Sequence, residues 1–404
     1  MIPLPCSIRQ QTALKRSNFV LALRITHNLT ENNTMKKMLS LAAMFAALSY
    51  AAPASAALNL GGDAGIRLRN ESYSGTTAVN RDANNLLWQY RVRLNAAADL
   101  GDGYYFKAMA TQENTGGGWV TVGGQADYNL QVSNFYFGRQ LADCGYAMGR
   151  LPLNSFNNPV FDITLYPLQP LETPVANVSM DRIYGLNYNT KFLSGNLRGT
   201  LVVLDDYSRN NTAAEGDGKF NDGYALHLAY TDKIGDITIE PQFIRVLTQG
   251  VGSGWTQGTV GYAHVSPWTA GANLTIPAGD LKIGLSGYYT HGKNSTAYAG
   301  FRTGDVNYSG YEFRIKGEYG NLLCFYDFNR TTDKTPGNLV TGALENKYTN
   351  NFVWASYKIP VHKSAAGSFT IQPTLRYLTN KAEGSVTNVN QQRLRSELWA
   401  TVTF

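Results

Sequence analysis

The side chains able to do chemistry are mostly charged, and they sit on alternate residues. Arg67 and Arg69 lie two apart, as do Arg91 and Arg93; Lys107 follows on the next such run, and Arg182 begins another. The acids within residues 152–181 are few: Asp162, Glu172 and, at the exit, Asp181. Arg139 and Arg150 lie near the ends of their runs, where parity is less certain. Nothing here is a catalytic constellation. The five histidines are dispersed, and Cys6, Cys144 and Cys324 are too far apart to form a framework, so we expect neither disulfide, metal cluster nor cofactor. Fixed charges of this kind act on ions, and act most strongly at a narrow place where bulk salt screens them least.

The leading residues must be set aside before the rest is weighed. Met35-Lys36-Lys37 opens a basic segment, an apolar run continues to Ala52, and Pro53-Ala54-Ser55-Ala56 closes on a small-residue cleavage site, placing the cut between Ala56 and Ala57. Residues 35–56 therefore read as a secretory signal peptide. A membrane anchor fails on length, since about 15 apolar residues do not span ~30 Å of hydrocarbon. Residues 1–34 read as a spurious extension upstream of a start at Met35. Removing the first 56 of 404 residues leaves 348, and removes six of the 35 basic and one of the 29 acidic residues. The remainder is nearly neutral, so the basic balance of the whole chain does not argue for nucleic acid.

Alternation with period two starts soon after residue 57 and does not stop. Trp88, Tyr90, Val92, Leu94, Ala96, Ala98 and Leu100 alternate with Gln89, Arg91, Arg93, Asn95, Ala97 and Asp99. Gly101-Asp102-Gly103 turns this run into the next, and the unit recurs along the chain around Ser194-Gly195-Asn196, Gly235-Asp236, Gly279-Asp280, Gly320-Asn321 and residues 363–367. Between these units lie longer polar loops (72–85, 114–127, 207–221, 248–261, 292–307, 332–348 and 382–390). About 16 strands of roughly 9–12 residues result, the length that a tilted strand needs to cross a bilayer. The expected fold is all-β: a transmembrane antiparallel barrel over residues 57–404, with short turns at one end and long loops at the other. A soluble sandwich or propeller would alternate as well, but shows no such rhythm of turns and has no blade repeat here.

One connection breaks the pattern. Residues 152–181 hold five of the 14 prolines, a density expected to forbid helix and central strand, together with Phe156, Val160, Phe161, Ile163, Leu165, Tyr166, Leu168 and Leu171. A loop this long and this apolar must pack against something to be ordered. It is expected to fold into the lumen and narrow it, chiefly by bulk.

The chain ends Glu397-Leu398-Trp399-Ala400-Thr401-Val402-Thr403-Phe404, with a terminal aromatic on an amphipathic strand. With the order of strands and loops, the motif Phe137-Gly138-Arg139-Gln140 and its echo Met148-Gly149-Arg150, residues 60–404 resemble the bacterial general porins, and look closest to the homotrimeric porins of sulfate-reducing and related bacteria. The resemblance implies an inward-folded third loop, a homotrimer in the Gram-negative outer membrane, and Phe404 as a signal to the barrel assembly machinery. It also implies contact with outer-membrane lipid and lipopolysaccharide, with the second loop (114–127) reaching a neighbour. It implies passive diffusion of small hydrophilic solutes and ions. In that family an early-strand basic ladder faces acids of the third loop; here Arg67, Arg91 and Arg93 would face Asp162 and Glu172, with a slight lean toward anions. The third loop departs from the family in lacking an acidic, glycine-rich segment.

Other functions fit less well. Tyr105, Tyr288 and Trp399 fall on the inward parity, but a slide for sugars needs several aromatics stacked in line. A sugar- or anion-selective channel on the same scaffold, and a non-conducting adhesin barrel, stay open. No enzyme is expected: an outer-membrane phospholipase would need a Ser–His pair outside a barrel of about 12 strands, and His227 points inward by parity.

Overall fold

The computed structural model describes residues 58–75, 84–112, 119–122, 131–152, 158–165, 183–205, 223–248, 267–294, 306–335, 344–384 and 389–404. The signal segment with Ala56 and Ala57, and Glu172, Asp181 and Arg182, lie outside them.

Eighteen strand segments follow one another: β1 (Leu58–Gly75), β2 (Asn84–Gly101), β3 (Tyr104–Gln112), β4 (Val120–Thr121), β5 (Gln131–Gln140), β6 (Cys144–Leu151), β7 (Ile183–Phe192), β8 (Gly195–Asp205) and β9 (Gly223–Ile234). Then come β10 (Ile237–Thr248), β11 (Trp268–Ala278), β12 (Leu281–Asn294), β13 (Val306–Tyr319), β14 (Leu322–Asp333), β15 (Asn346–Tyr357), β16 (Ile359–Ser364), β17 (Gly367–Glu383) and β18 (Val389–Thr403). A single helix among the described residues, α1 (Val160–Leu165), lies between β6 and β7.

These segments make a closed barrel of 16 strands. β4 continues β3, since both pair with β2 (Val92 with Gln112, then Tyr90 with Val120). β16 likewise continues β15 against β17; the break falls at Lys358, just before Pro360, which has no N–H for the ladder. Each strand pairs antiparallel with its neighbours, and β18 pairs with β1 from Asp63–Thr403 to Gly75–Gln391. Closure leaves no strand edge unpaired, which is what lipid requires. No described helix is long and apolar enough to cross a membrane, a fact that says nothing about strands.

The two ends differ as expected. Short turns join β2 to β3, β5 to β6, β7 to β8, β9 to β10, β11 to β12, β13 to β14 and β16 to β17. Gly235, Gly279 and Gly320 hold three of these turns in left-handed backbone (φ 61°, 62° and 53°), where a Cβ would be strained. Six of the segments are longer than the 9–12 residues expected: β12, β13, β17 and β18 at 14–17 residues, and β1 and β2 at 18.

The radial order is inverted relative to a water-soluble protein. Along β13, Tyr311, Phe313 and Ile315 are 44–45% exposed, while the alternating Glu312 and Arg314 are 2–3% exposed. Leu398, Val402 and Phe404 face outward on β18, and Arg393, Arg395 and Glu397 face inward. The side-chain period of two makes this inevitable once one face is chosen. An apolar cluster also lies inside, where Phe325, Phe352, Trp354 and Leu378 pack with Leu323 and Trp399.

Candidate functional site

A 16-stranded barrel is too wide for its own wall to fill, so the site begins with what enters it. The expectation that proline density forbids helix is corrected by α1. Pro159 immediately precedes the helix and Pro167 stands beyond Leu165, so the prolines bracket the turn and none interrupts it. That placement is tolerated because a proline at a helix start removes only a donor without an intrahelical partner.

The helix is packed inside, against the wall made by β10 to β13. Val160, Asp162, Ile163 and Thr164 are 0% exposed, and Phe161 lies 4.9 Å from the His227 ring on β9. Thr164 Oγ1 donates to Thr269 Oγ1 (2.8 Å), Asn158 Nδ2 donates to Gln242 Oε1 (2.8 Å), and Tyr288 OH donates to Asn158 Oδ1 (3.3 Å). Apolar faces and a row of small hydrogen bonds thus hold the loop to the wall, as the sequence suggested for its bulk.

Asp162 is placed differently from what was expected. Its carboxylate is sealed against the wall, close enough to act electrostatically on Glu312 and Arg314. It does not present a charge to the open lumen. Arg314 is bound to Asp327 through Nε (2.5 Å) and Nη2 (2.8 Å), the two-pronged geometry that suits a guanidinium to a carboxylate. Around the helix, Asp162, Glu240, Glu312 and Asp327 are set against Arg198 and Arg314. A cavity of about 370 Å³ lies beneath the helix, lined by Tyr136, Asn187, Arg198, His227 and Glu240 among others.

The opposite charge gathers on β17, β18, β1 and β2. Arg67 donates to Gln89 Oε1 (2.9 and 2.5 Å) and lies 3.6 Å from Glu397. Arg69 and Arg376 reach the same Glu397 at 2.7 and 2.9 Å, and Trp399 Nε1 donates to it at 2.8 Å. Arg395 pairs with Glu71, which also takes Arg69 at 3.2 Å. Arg91 and Arg93 share Asp63 at 3.1 and 3.7 Å. With Arg393, seven inward guanidinium groups meet three carboxylates. On their own wall Arg67 meets Glu397 and Gln89, and Arg91 and Arg93 meet Asp63; of the third-loop acids expected to face them, Asp162 is buried beside β13 and Glu172 lies outside the described residues.

Tryptophans are interleaved with these arginines. Trp119 is 3% exposed and lies under the guanidinium groups of Arg67 (4.8 Å) and Arg91 (4.7 Å). Arg376 sits 3.9 Å over Trp354 and 5.7 Å from Trp399, and Arg314 lies 4.9 Å over Phe325. Stacking on a ring leaves the edge of a guanidinium free for carboxylates, which a lysine could not do. Lys107, by contrast, is exposed, 5.5 Å from the Tyr105 ring. Trp119 also shows where the described part of the second loop goes: it folds onto the inner wall of its own barrel.

The early-strand arginines were found by parity. Arg376, Arg393, Arg395 and Glu397 carry the same period-two signal on the last two strands, beyond the residues singled out from the sequence. Arg139 and Arg150 face outward, stacked over Tyr104 (4.5 Å) and Tyr184 (5.6 Å). His227 is buried and bonded to Gln242 (2.8 Å), a packed wall residue.

No family model matches the chain, and no curated relative does either. Solved structures do resemble it. An anion-selective porin from Comamonas acidovorans is similar over 87% of this chain and 100% of its own, with a TM-score of 0.52 at 12% identity. The outer-membrane-expressed OmpT of Vibrio cholerae is similar over 87% and 99%, with a TM-score of 0.51 at 12% identity. At that identity the likeness shows the fold, and the fold is that of bacterial outer-membrane porins.

Proposed function

We propose that this chain forms a water-filled channel in the outer membrane of a Gram-negative bacterium, passing small hydrophilic solutes and ions by passive diffusion. The supporting observation is the radial inversion, with tyrosine, phenylalanine and isoleucine outside and arginine and glutamate inside a closed 16-strand ring. That order suits lipid without and water within. Export through a signal peptide cut between Ala56 and Ala57, insertion through Phe404 and the assembly machinery, and a homotrimer like those of sulfate-reducing and related bacteria belong to the same proposal. So does a lean toward anions, supported by the excess of guanidinium groups on β17, β18, β1 and β2. No catalytic role is proposed for any residue.

Planar-bilayer recording across a salt gradient tests this reading. Stable conductance in steps of three is expected, with a reversal potential on the anion side. Arg91→Glu with Arg93→Glu should move that potential toward cations. Absence of conductance would leave an adhesin or structural barrel; unchanged selectivity in the double variant would refute the role given to the basic wall.

A further inference from the structure

The cavity beneath helix α1 has a volume of about 370 Å³, at the small end of ligand pockets. One side of it is apolar, made by Phe161 of the helix with Ala147 and Leu151 of β6, all buried. The other side is polar and belongs to β8, β9 and β10, which bring Arg198, His227 and Glu240 to its surface.

The polar side is not matched within itself. The Arg198 guanidinium lies 3.8 Å from Glu240, beyond hydrogen-bond reach, on a side chain that is 43% exposed. Glu240 accepts from Thr231, Gln242 and Asn273, yet 23% of its side chain stays open. The hydrogen bonds around His227 show which sign of charge each part of the cavity favours. Gln242 Nε2 donates to Glu240 Oε1 (2.5 Å), so Gln242 Oε1 is the acceptor for both Asn158 Nδ2 and His227 Nε2, each at 2.8 Å. The imidazole proton is therefore assigned to Nε2. Nδ1 keeps its lone pair, buried without a hydrogen-bond partner among the described residues. Glu240 lies close enough to act electrostatically on that ring. A lone pair near a carboxylate favours a cation in one part of the cavity, and Arg198 favours an anion in the part beside it.

A second cavity, of about 400 Å³, shares Glu240 and runs along β10 to β13 toward the short turns, past Lys282, Lys316 and Glu318. There Glu318 takes Lys316 at 2.9 Å and lies 3.9 Å from Lys282. Both signs of charge thus recur along this side of the lumen, unlike the guanidinium-rich wall of β17, β18, β1 and β2. A solute of one sign meets repulsion as often as attraction here; a solute that carries both can match each step.

The ligand that fits carries a carboxylate for Arg198 and, close to it, an ammonium for Glu240 on the lone-pair side of His227. It also carries a short apolar group for Phe161, Ala147 and Leu151. Sugars lack the charges, and a simple anion leaves Glu240 unmatched. We infer that the cavity beneath α1 binds single α-amino acids with apolar side chains, held as zwitterions. The inference rests on the channel reading, because a water-filled lumen is what brings such a solute to the inner wall, and it names a solute class which that reading leaves open.

The test is equilibrium dialysis of the whole purified protein in detergent against radiolabelled L-leucine. Saturable binding is expected. Arg198→Gln and Glu240→Gln should each weaken it by about tenfold or more, the contribution of one charge-assisted hydrogen bond. Arg198→Lys should stay within about threefold. Competitors carry the test without any variant. Isocaproate lacks only the ammonium of leucine, and leucine methyl ester lacks the carboxylate; each should compete about tenfold more weakly than leucine. Glycine should compete as weakly, for want of an apolar side chain. Absence of saturable binding would overturn the proposal. So would isocaproate competing as well as leucine, which marks a plain anion site, or full affinity in both glutamine variants when heat-modifiable gel mobility shows them folded. Conductance of the unsubstituted protein is recorded in parallel: its absence would sink the channel reading, while dialysis decides the amino acid site separately.

Discussion

Glu397 offers the sharpest test of the inner wall. Its carboxylate is 0% exposed and meets Arg67 at 3.6 Å, Arg69 at 2.7 Å and Arg376 at 2.9 Å, side chains 3%, 11% and 3% exposed. Glu397→Gln keeps the shape and one acceptor oxygen. It removes the charge that three guanidinium groups share, and it turns an amide N–H toward groups that can only donate. Breaking one buried pair costs about 3–5 kcal/mol because the partner is left charged and desolvated. Here Arg376 loses its carboxylate, while Arg67 keeps Gln89 and Arg69 keeps Glu71, so the loss should fall within that range. An internal control is Asp143, which holds Lys191 at 2.5 Å with both side chains about 70% exposed. Asp143→Asn should cost under ~1 kcal/mol, as exposed pairs do. Urea unfolding of the detergent-solubilised barrel, followed by gel mobility, measures both. Adding Arg376→Met to Glu397→Gln should restore part of the loss, since one stranded cation is replaced by an apolar chain. If Glu397→Gln unfolds like Asp143→Asn, the buried network is not what holds β17, β18 and β1 together, and the reasoning fails.

Two further outcomes follow from the structure. Phe161→Ala removes a buried ring that lies 4.9 Å from His227, at a cost of about 3–5 kcal/mol to the docking of the third loop; bilayer recording should show larger and noisier conductance, and unaltered traces would mean that the loop is held elsewhere. At the long-loop end, a hydrogen bond from Lys347, with the charges of Lys347 and Lys334, holds the Glu345 carboxyl below its ordinary range. A depressed carboxyl stabilises only while ionised. The contact is therefore complete above the ordinary glutamate pKa and is lost as pH falls through the lower value in the fold. Hydrogen exchange at residues 344–347 should speed up on that acid side, and exchange independent of pH, after correction for chemistry, would contradict it.

The barrel was legible because its signal is strictly periodic. Glu312, Arg314, Lys316 and Glu318 against Tyr311, Phe313, Ile315 and Tyr319 admit only one inward face, and repeating that decision over 16 strands leaves little freedom. What was not legible lies where periodicity stops. Helix α1 escaped because prolines were counted by density, whereas their effect depends on position. Trp119 sits in a loop with no register, so nothing in the sequence shows that it enters the lumen and stacks on Arg67 and Arg91. The pairing of Arg67 and Arg69 with Glu397, and of Arg395 with Glu71, depends on which strands are neighbours across the closure, a relation between residues more than 300 positions apart. Parity predicts a face; it does not say who shares it.

That closure also has a consequence in time. The seam joins β1 to β18, so the first strand to leave a ribosome waits for the last before it has both neighbours. Until then the sheet has two open edges and an outward face of tyrosine, leucine and phenylalanine, the combination most prone to pair with other chains. Local hairpins can form early through the short turns, but the step that removes both edges is the most distant contact in the molecule and therefore a late one. An unfinished barrel is a sticky ribbon, and only the last strand makes it a ring.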